Sequence, residues 1–277
     1  MHSNANFQFQ YERKGLLMAY RTEKSEEEEL EVAEMAVKEG LDASVLSKEE
    51  VHKMQPVFSD DVIGAVHYKC DAHMTPNHFM EQMKTWLSSQ GVVFEFNQTA
   101  EEFLVKDNKI TAVKTKDAVF GADEFVLASG TWTSKLVRSL NLYVPVQGGK
   151  GYSMDVRRDT GITMPAILVD AKVAVTPMEG FTRFAGTMEF SGNNAIVRKE
   201  RVEALATAVK RYYADFEINK EEKDKATSGL RPVSPDGLPY IGKTSKYGNL
   251  TIAAGHAMMG WSLGPITGKL VAEGITK

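Results

Sequence analysis

The segment of residues 250–268 constrains the fold more than any other part of the sequence. Residues 250–253 form a short apolar run, which is typical of a buried strand, and Gly255 follows almost at once. An apolar helical pattern then runs from about residue 259 to residue 273. Backbone amides at a helix start suit an anion, or a carbonyl that gains negative charge. This order of strand, glycine loop and helix therefore predicts a turn where the backbone comes close to another group.

Three glycines on the helix that follows allow two interpretations. Gly260, Gly264 and Gly268 recur every four residues, so they lie on one face of that helix. A closely packed neighbour, either backbone or ligand, would explain them. Ordinary tight packing between helices would explain them equally well, and the spacing alone leaves both interpretations open.

Composition excludes several classes of protein. The chain has 277 residues, 43% of them apolar and 25% charged, and a net charge of −4. Lys and Arg do not cluster, which argues against a nucleic-acid partner. The sequence has no apolar run of roughly 18 residues, so we expect no membrane-spanning helix. Residues 1–6 lack the basic and apolar regions of a signal peptide.

The single cysteine, Cys70, makes an intramolecular disulfide impossible. A reducing compartment fits best, so we expect a cytoplasmic protein, which could also lie peripherally at the inner face of a membrane. The histidines at 67, 73 and 78 do not combine with an acidic set, and no metal site is predicted.

Several helices and their ends can be predicted from local signals. Ser25 with Glu28, and Ser47 with Glu50, match the capping-box pattern at a helix start. The pair at 75–76, Thr-Pro, opens another helix, whose apolar stripe we attribute to core packing. An amphipathic helix is expected over about 199–214, and residues 219–225 are expected to form a charged loop.

Strand-like runs dominate the middle of the chain. The fully apolar run 125–128 predicts a strand buried on both faces, and residues 107–108, Asp-Asn, predict a hairpin turn. The strand patterns of this part of the chain, including the one that contains 125–128, lie at 92–96, 102–106, 109–115, 123–128, 150–156, 166–169, 172–177 and 181–188. The fold class is therefore mixed α/β, with α+β character: a mixed or antiparallel sheet with flanking helices.

The C-terminal strings GLRPVSPDGLPYIG and NLTIAAGHAMMGWSLGPITGKL resemble the signature of the D-amino acid oxidase-like flavoenzymes. This family includes glycine oxidase, sarcosine oxidase and bacterial D-amino acid dehydrogenase. DAHMTPNHFMEQM, ADEFVLASGTWTSKL and PVQGGKGYSMDV support the resemblance, which covers about residues 11–269. The strings KGYS and GHAMMGW are most similar to the D-amino acid dehydrogenase branch.

The resemblance implies FAD as cofactor and oxidation of the Cα–N bond of a small amino acid. Arg231 would clamp the substrate carboxylate, and Met188 would line the pocket. The residues that would contact the flavin cofactor are Ala100 near the adenine, Ser129 and Gly130 near the phosphates, and His256, Ala257, Met258, Met259 and Gly260 along the isoalloxazine ring. Lys150 could face the pocket or occupy an ordinary strand position.

The resemblance also implies two interleaved parts. A substrate domain would comprise residues 1–73 and 144–232, and a partial FAD-binding domain would comprise residues 74–143 and 233–277. The family's initial Gly-x-Gly-x-x-Gly segment does not occur in this sequence, and Gly148-Gly149-Lys150-Gly151 does not match it. An aromatic hydroxyl and a second basic residue of the family pocket are replaced near Ala174 and Met258, which leaves the substrate class open.

Three hypotheses follow. The chain could be a truncated form of an FAD-dependent amino-acid dehydrogenase or oxidase. It could be a non-catalytic substrate-binding fragment that holds no flavin. It could also be one half of a complex, completed by self-association or by a second chain that supplies the dinucleotide-binding segment. The electron acceptor and the oligomeric state are not predictable from the sequence.

Overall fold

A computed structural model describes residues 7–276 of the chain. The residues before Phe7, where the sequence indicates no signal peptide, lie outside the described part. The helices of the described part are α1 (Glu23–Lys38), α2 (Lys48–Met54), α3 (Pro76–Ser89), α4 (Thr133–Arg138), α5 (Lys199–Tyr212), α6 (Lys220–Asp224) and α7 (Gly260–Thr276). Single 3-10 turns occur at Gly130–Trp132 and Val169–Ala171.

The strands form a mixed α/β architecture with the helices. They are β1 (Tyr11–Glu12), β2 (Leu16–Tyr20), β3 (Ala43–Ser47), β4 (Gly64–Tyr68), β5 (His73–Met74), β6 (Glu102–Lys106), β7 (Lys109–Lys114), β8 (Val119–Gly121), β9 (Phe125–Leu127), β10 (Gln147–Val156), β11 (Ala166–Leu168), β12 (Val173–Met178), β13 (Phe181–Glu189), β14 (Thr227–Val233), β15 (Tyr240–Lys243) and β16 (Leu250–Ala254).

The largest sheet is mixed, as the sequence predicts. Its eight strands have the order β14-β10-β13-β12-β11-β2-β4-β3. Most of the recorded pairs are antiparallel, but β11 runs parallel to β2, with Ile167 opposite Met18. The three-stranded sheets are β15-β16-β9 and β6-β7-β8, and β1 pairs with β5.

The chain divides into two compact units. The first contains the described residues up to Val93, together with Tyr152–Thr187 and Ile196–Ser228. The second contains Phe94–Gly151, Met188–Ala195 and the residues from Gly229 onward. Because β10, β13 and β14 each include residues of both units, the chain passes from one unit to the other within these strands.

Each unit has its own apolar core. In the first unit, α5 packs Val202, Leu205 and Val209 into a cluster that includes Phe184 and Tyr213. In the second, the largest cluster joins β9, β16, β7 and α4 through side chains that are almost fully buried. These side chains include Ile110, Phe125, Leu127, Val137, Leu140, Leu250 and Ile252.

Several local predictions are confirmed. Ser47 and Glu50 form a complete capping box at the start of α2. Pro76 occupies the first turn of α3, where its missing N–H is not needed. Asp107 and Asn108 join β6 to β7 with left-handed backbone angles, φ 51° and 57°, as a tight hairpin turn requires.

The capping box predicted at Ser25 and Glu28 is wrong. Helix α1 begins at Glu23, and the Thr22 side chain caps it by accepting the Ser25 N–H at 3.2 Å. The Ser25 hydroxyl instead donates to Asp170 Oδ1 at 2.8 Å. A side chain contact distant in sequence therefore replaces the local one.

Two element predictions also fail. Residues 92–96 have strand composition, but no strand of the described chain pairs with them, and they form no strand. Residues 219–225 are not a loop, since α6 forms there. Asn219 accepts the Glu222 N–H at 2.9 Å and the Glu222 carboxylate accepts the Asn219 N–H at 2.8 Å, which nucleates the short helix.

Two burial predictions fail for a common reason, which is that no element among residues 7–276 fully covers these surfaces. The apolar stripe of α3 is not core, because none of its residues is buried. Aromatic contacts cover the stripe only in part. The ring centroids of Phe7 and Trp86 are 6.2 Å apart, and those of Phe9 and Phe79 are 5.2 Å apart. In β9, Val126 is 45% exposed, so this strand is buried on one face only.

Candidate active site

Two parallel strands of the second unit bring their carboxyl ends to one edge of the β15-β16-β9 sheet. Leu127 of β9 lies opposite Ile252 of β16. Since parallel strands end on the same side, the turns that follow them are neighbours. These are the turn at Ser129 and Gly130 and the turn at Gly255. Two groups of residues predicted to contact FAD therefore meet at one edge.

The turn after β9 needs glycine and leaves one polar atom unused. Gly130 has φ +55°, in the left-handed region that glycine adopts without strain. The hydroxyls of Ser129 and Thr133 lie 3.0 Å apart and share a hydrogen bond. The Thr131 hydroxyl is buried and has no hydrogen-bond partner in the described structure. Eleven other buried side-chain atoms of the described structure also have no hydrogen-bond partner, so this hydroxyl does not by itself indicate a ligand.

The loop after β16 presents backbone and two methionines. Gly255 has φ +86° and Ala257 has φ +48°, so the chain turns sharply on both sides of His256. Met259 N–H donates to the His256 carbonyl at 2.8 Å, which closes the turn just before α7 begins. Met258 and Met259 are exposed. The loop and the positive end of the α7 dipole can therefore face a group that carries negative charge.

His256 is held in one neutral form. Its Nε2 lies 2.9 Å from Thr267 Oγ1, and the Thr267 hydroxyl donates to the Leu263 carbonyl at 2.8 Å. Because the hydroxyl has only one proton, the histidine must be the donor, which assigns the ring proton to Nε2. Burial lowers the pKa of His256, which favours the uncharged ring.

Backbone hydrogen bonding joins this loop to β14, the strand that carries Arg231. The Ala257 N–H donates to the Pro232 carbonyl at 2.8 Å, and Val233 forms an isolated antiparallel bridge with His256. Burial lowers the pKa of the Arg231 guanidinium from its ordinary value of 12.5, and it remains protonated at pH 7. The predicted carboxylate clamp therefore lies on the strand to which the predicted flavin loop is bonded.

Met188 and Arg231 share one face of the second unit's part of the large sheet. An alanine Cβ built at Gly151 would lie 2.6 Å from Arg231 Cζ, and one built at Gly149 would contact the Met188 sulfur. Gly149 is also close to Val233, whose Cγ2 would lie 3.0 Å from the added atom. The two predicted substrate-pocket residues are thus brought together against β10.

The importance of Gly149 and Gly151 was missed in the sequence. The Gly148–Gly151 run does not match the dinucleotide-binding pattern Gly-x-Gly-x-x-Gly, and no other role was predicted for its glycines. The informative signal is the spacing of two residues between glycines inside a strand, which leaves one face of that strand without side chains.

Lys150 occupies the other face of β10 and forms a buried ion pair. Its side chain is 1% exposed, with Nζ 3.2 Å from Glu189 Oε1 and 2.8 Å from Asn194 Oδ1. Of the two roles considered for Lys150, these contacts favour the structural one. Ala100 lies just before β6, and no recorded hydrogen bond links it to the other predicted site residues, so its role stays a prediction.

The residues present fit one part of the implied cofactor. The Gly255–Gly260 loop offers backbone amides, a helix start and apolar side chains, which suit a flavin ring. The Thr131 hydroxyl and the Gly130 turn offer polar contacts nearby. Within the described residues, no group of three or more His, Cys, Asp or Glu side chains could hold a metal ion. Across residues 7–276, every helix is too short or too polar to span a membrane.

Comparison with known proteins identifies the family of the chain. Residues 2–274 match the DAO family, described as FAD dependent oxidoreductase. D-amino acid dehydrogenase of Helicobacter pylori is 28% identical over 268 residues, which are 96% of this chain and 63% of that protein. The same enzyme of Neisseria meningitidis is 31% identical and is matched over 64% of its length. The chain thus spans somewhat less than two thirds of these relatives.

Solved structures show the same fold. Glycine oxidase from Bacillus cereus superposes with a TM-score of 0.86 at 24% identity, over 98% of this chain and 74% of that one. Glycine oxidase from Geobacillus kaustophilus gives a TM-score of 0.87 at 22% identity, over 99% and 74%. From the family match along nearly its whole length, we conclude that this chain belongs to the DAO family of FAD-dependent oxidoreductases.

Proposed function

We propose that this chain forms the substrate-binding part and the C-terminal flavin-contacting part of an enzyme that oxidatively deaminates a small amino acid. The proposed activity is of the D-amino acid dehydrogenase or oxidase type, since several relatives of 28–31% identity have that name. The proposal includes the domain division at residues 1–73 and 144–232, against 74–143 and 233–277.

The observation that carries the proposal is the link between Arg231 and the loop at 256–260. Pro232, next to Arg231, accepts the Ala257 N–H at 2.8 Å. A substrate carboxylate on the guanidinium would therefore lie near the loop along which the flavin ring is expected. A guanidinium offers two parallel donors to a carboxylate, which fixes both the position and the orientation of the substrate.

The chain's own residues would act mainly by positioning. Arg231 holds the carboxylate, while Met188 and Met258 are apolar and limit water around Cα. His256 is neutral and engaged with Thr267, so it adds no charge beside the substrate amine. The amine enters uncharged, and no strong acid or base of the protein is required.

FAD, when bound, supplies the acceptor for the two electrons and the hydrogen that leave Cα. The amides near Gly260 and the start of α7 would stabilise negative charge on the bound cofactor. Loss of hydride from Cα and of a proton from nitrogen leaves an imine, which water converts to a 2-oxo acid and ammonia. The site residues thus supply orientation and electrostatic stabilisation, and the cofactor supplies the redox chemistry.

Retention of flavin tests the proposal. The purified chain is incubated with FAD, desalted, and its absorbance spectrum is recorded. We expect a flavin spectrum that stays with the protein. Loss of all flavin on desalting would contradict cofactor binding by this chain alone. It would leave either a non-catalytic substrate-binding fragment or a chain that another segment completes. A Met258→Glu variant, which places negative charge on the exposed loop, should retain less FAD than wild type.

A completed assembly is the second candidate, and the exposed surface of the second unit favours it. Of the 17 residues of α7 only Thr267 is buried, although the helix is rich in apolar residues. Val126 of β9, a terminal strand of its three-stranded sheet, is 45% exposed. Exposed strand edges and apolar patches mark surfaces that other chain segments cover.

We therefore propose that a dinucleotide-binding segment, or a second copy of this chain, covers α7 and β9. Size-exclusion chromatography with light scattering distinguishes the two cases. A dimer supports self-association, and a monomer that retains FAD only with a separately expressed dinucleotide-binding segment supports completion by another chain.

The proposed cytoplasmic location rests on the single, exposed Cys70, and cell fractionation would test it.

A further inference from the structure

Strand β10 presents bare backbone on one face beneath the two predicted substrate-pocket residues. Gly149 and Gly151 are both buried, and residues two apart in a strand point to the same side. A Cβ at Gly151 would lie 2.6 Å from both Cζ and Nη2 of Arg231. No real Cβ tolerates contacts this short, so the guanidinium occupies the space that a side chain at position 151 would take.

Successive residues of β10 point to opposite faces of the sheet, so the contacts of Lys150 on one face fix Gly149 and Gly151 on the other. Lys150 is 1% exposed and pairs with Glu189 at 3.2 Å, and Glu189 directly follows Met188. Met188 therefore lies with Gly149 on one face, while Glu189 lies with Lys150 on the other. A slip of one residue would exchange the faces and separate a buried ion pair, which is strongly unfavourable.

We propose that Gly151 is a positioning residue, whose lack of a side chain lets the Arg231 guanidinium lie flat on the β10 backbone. The inference rests on the proposed role of Arg231 as carboxylate clamp and adds the residue that sets its position. Gly149 has the corresponding relation to Met188. The glycine pair thus defines the floor of the substrate pocket as backbone rather than side chain.

Geometry gives the expected consequence. Ordinary carbon contacts lie near 3.4–4 Å, so an alanine at position 151 must move the guanidinium by about 1 Å or drive it to another rotamer. A misplacement of about 1 Å in a positioning group can cost on the order of a hundredfold in rate. In a flavin-loaded enzyme, Gly151→Ala should therefore lower kcat/KM for the amino acid.

The direct test needs neither flavin nor turnover. Phenylglyoxal modifies accessible guanidinium groups, and peptide mapping by mass spectrometry gives the labelling rate at Arg231. We expect Gly151→Ala to raise that rate severalfold. Gly229→Ala is the matched control, because Gly229 lies on β14, the strand of Arg231, and has open space around it. Gly149→Ala should displace Met188 and leave Arg231 labelling unchanged.

A stability cycle covers the case in which Gly151→Ala folds poorly. If the clash is with Arg231, replacing Arg231 by alanine removes it. Gly151→Ala should then lower Tm in the wild-type background and have little effect on Tm in the Arg231→Ala background. An equal loss of Tm in both backgrounds, or an unchanged Arg231 labelling rate, would overturn the inference. Failure of FAD binding would leave both readouts intact, so the proposed function and this inference can fail separately.

Discussion

Ala257 donates its backbone N–H to the carbonyl oxygen of Pro232 at 2.8 Å. This bond connects the loop before α7 to the strand that carries Arg231, so two short motifs separated by about 25 positions in the sequence lie side by side. Any change that moves the loop is thereby transmitted to the neighbourhood of the carboxylate clamp.

Arg231→Lys is expected to weaken substrate binding although the charge is kept. Lysine is a point donor and cannot reproduce the two parallel hydrogen bonds of a guanidinium. Losing one hydrogen bond to a charged group costs about 1.5–3 kcal/mol. Steady-state kinetics of the flavin-loaded protein should show a lower kcat/KM. Arg138→Lys, on the exposed side of α4, is the control and should change little; equal effects of the two variants would contradict the clamp.

Gly255→Ala should destabilise the loop and loosen flavin binding. Gly255 has φ +86°, and an added Cβ would lie 3.1 Å from the Tyr240 ring. The left-handed backbone costs an alanine about 1–2 kcal/mol before any steric contact is counted. Thermal unfolding followed by circular dichroism measures the effect. Gly248→Ala, with ordinary backbone and open space, should leave Tm near wild type, and a similar Tm for both variants would argue against the strained turn.

Asp170 anchors the start of helix α1 in the first unit, because it accepts hydrogen bonds from Thr22 and Ser25. Acid should weaken this anchor. Burial by itself raises the pKa of Asp170, but hydrogen bonds from Thr22, Tyr212, Ser25 and the Arg21 N–H lower it to about 2. The folded pKa is below the unfolded value of 3.8, so the stabilisation is complete above about pH 4 and is lost as pH falls towards 2.

The matched variants for this anchor are Asp170→Asn and Asp117→Asn. We expect the first to lose stability at pH 7, on the order of 1 kcal/mol because the carboxylate is partly exposed to solvent. It should also show a weaker pH dependence between pH 4 and 2. Asp117 lies in an exposed turn, and its variant should follow wild type. Urea unfolding at several pH values provides the measurement, and parallel curves for all three proteins would refute the anchor.

Lys150→Met should be strongly destabilising, because it removes the buried ammonium that lies 3.2 Å from the Glu189 carboxylate. Such losses amount to about 3–5 kcal/mol. The double variant Lys150→Met with Glu189→Gln removes both charges of the pair and should recover part of the loss. Urea denaturation of the four proteins in this cycle measures the coupling, and strictly additive losses would show that the two charges do not interact.

Local signals predicted most elements of the fold, and the failures have physical causes. Ser47 with Glu50, Pro76 and the Asp107-Asn108 turn act through neighbours in sequence, so they could be recognised without a structure. The absence of a strand at residues 92–96 and the exposure of Val126 could not be predicted in this way, because strand formation and burial depend on partners elsewhere in the fold.

The candidate site was predicted in part for the same reason. Motif resemblance placed Arg231 and the 256–260 loop, and these lie together in the second unit. The role of Gly151 was not visible, since it depends on which side chain crosses the strand in three dimensions. The tautomer of His256 likewise required the position of Thr267, eleven residues away on α7.

The measurement that tests the central claim most directly is anaerobic reduction of the bound flavin by substrate. The FAD-loaded protein is mixed with small D-amino acids, their L-enantiomers as comparison, and the absorbance of oxidised flavin is followed. We predict bleaching by at least one D-amino acid, with Arg231→Ala reduced far more slowly while still bleached by dithionite. A protein that retains FAD yet is bleached by no amino acid, or equally in the Arg231→Ala variant, would contradict the account.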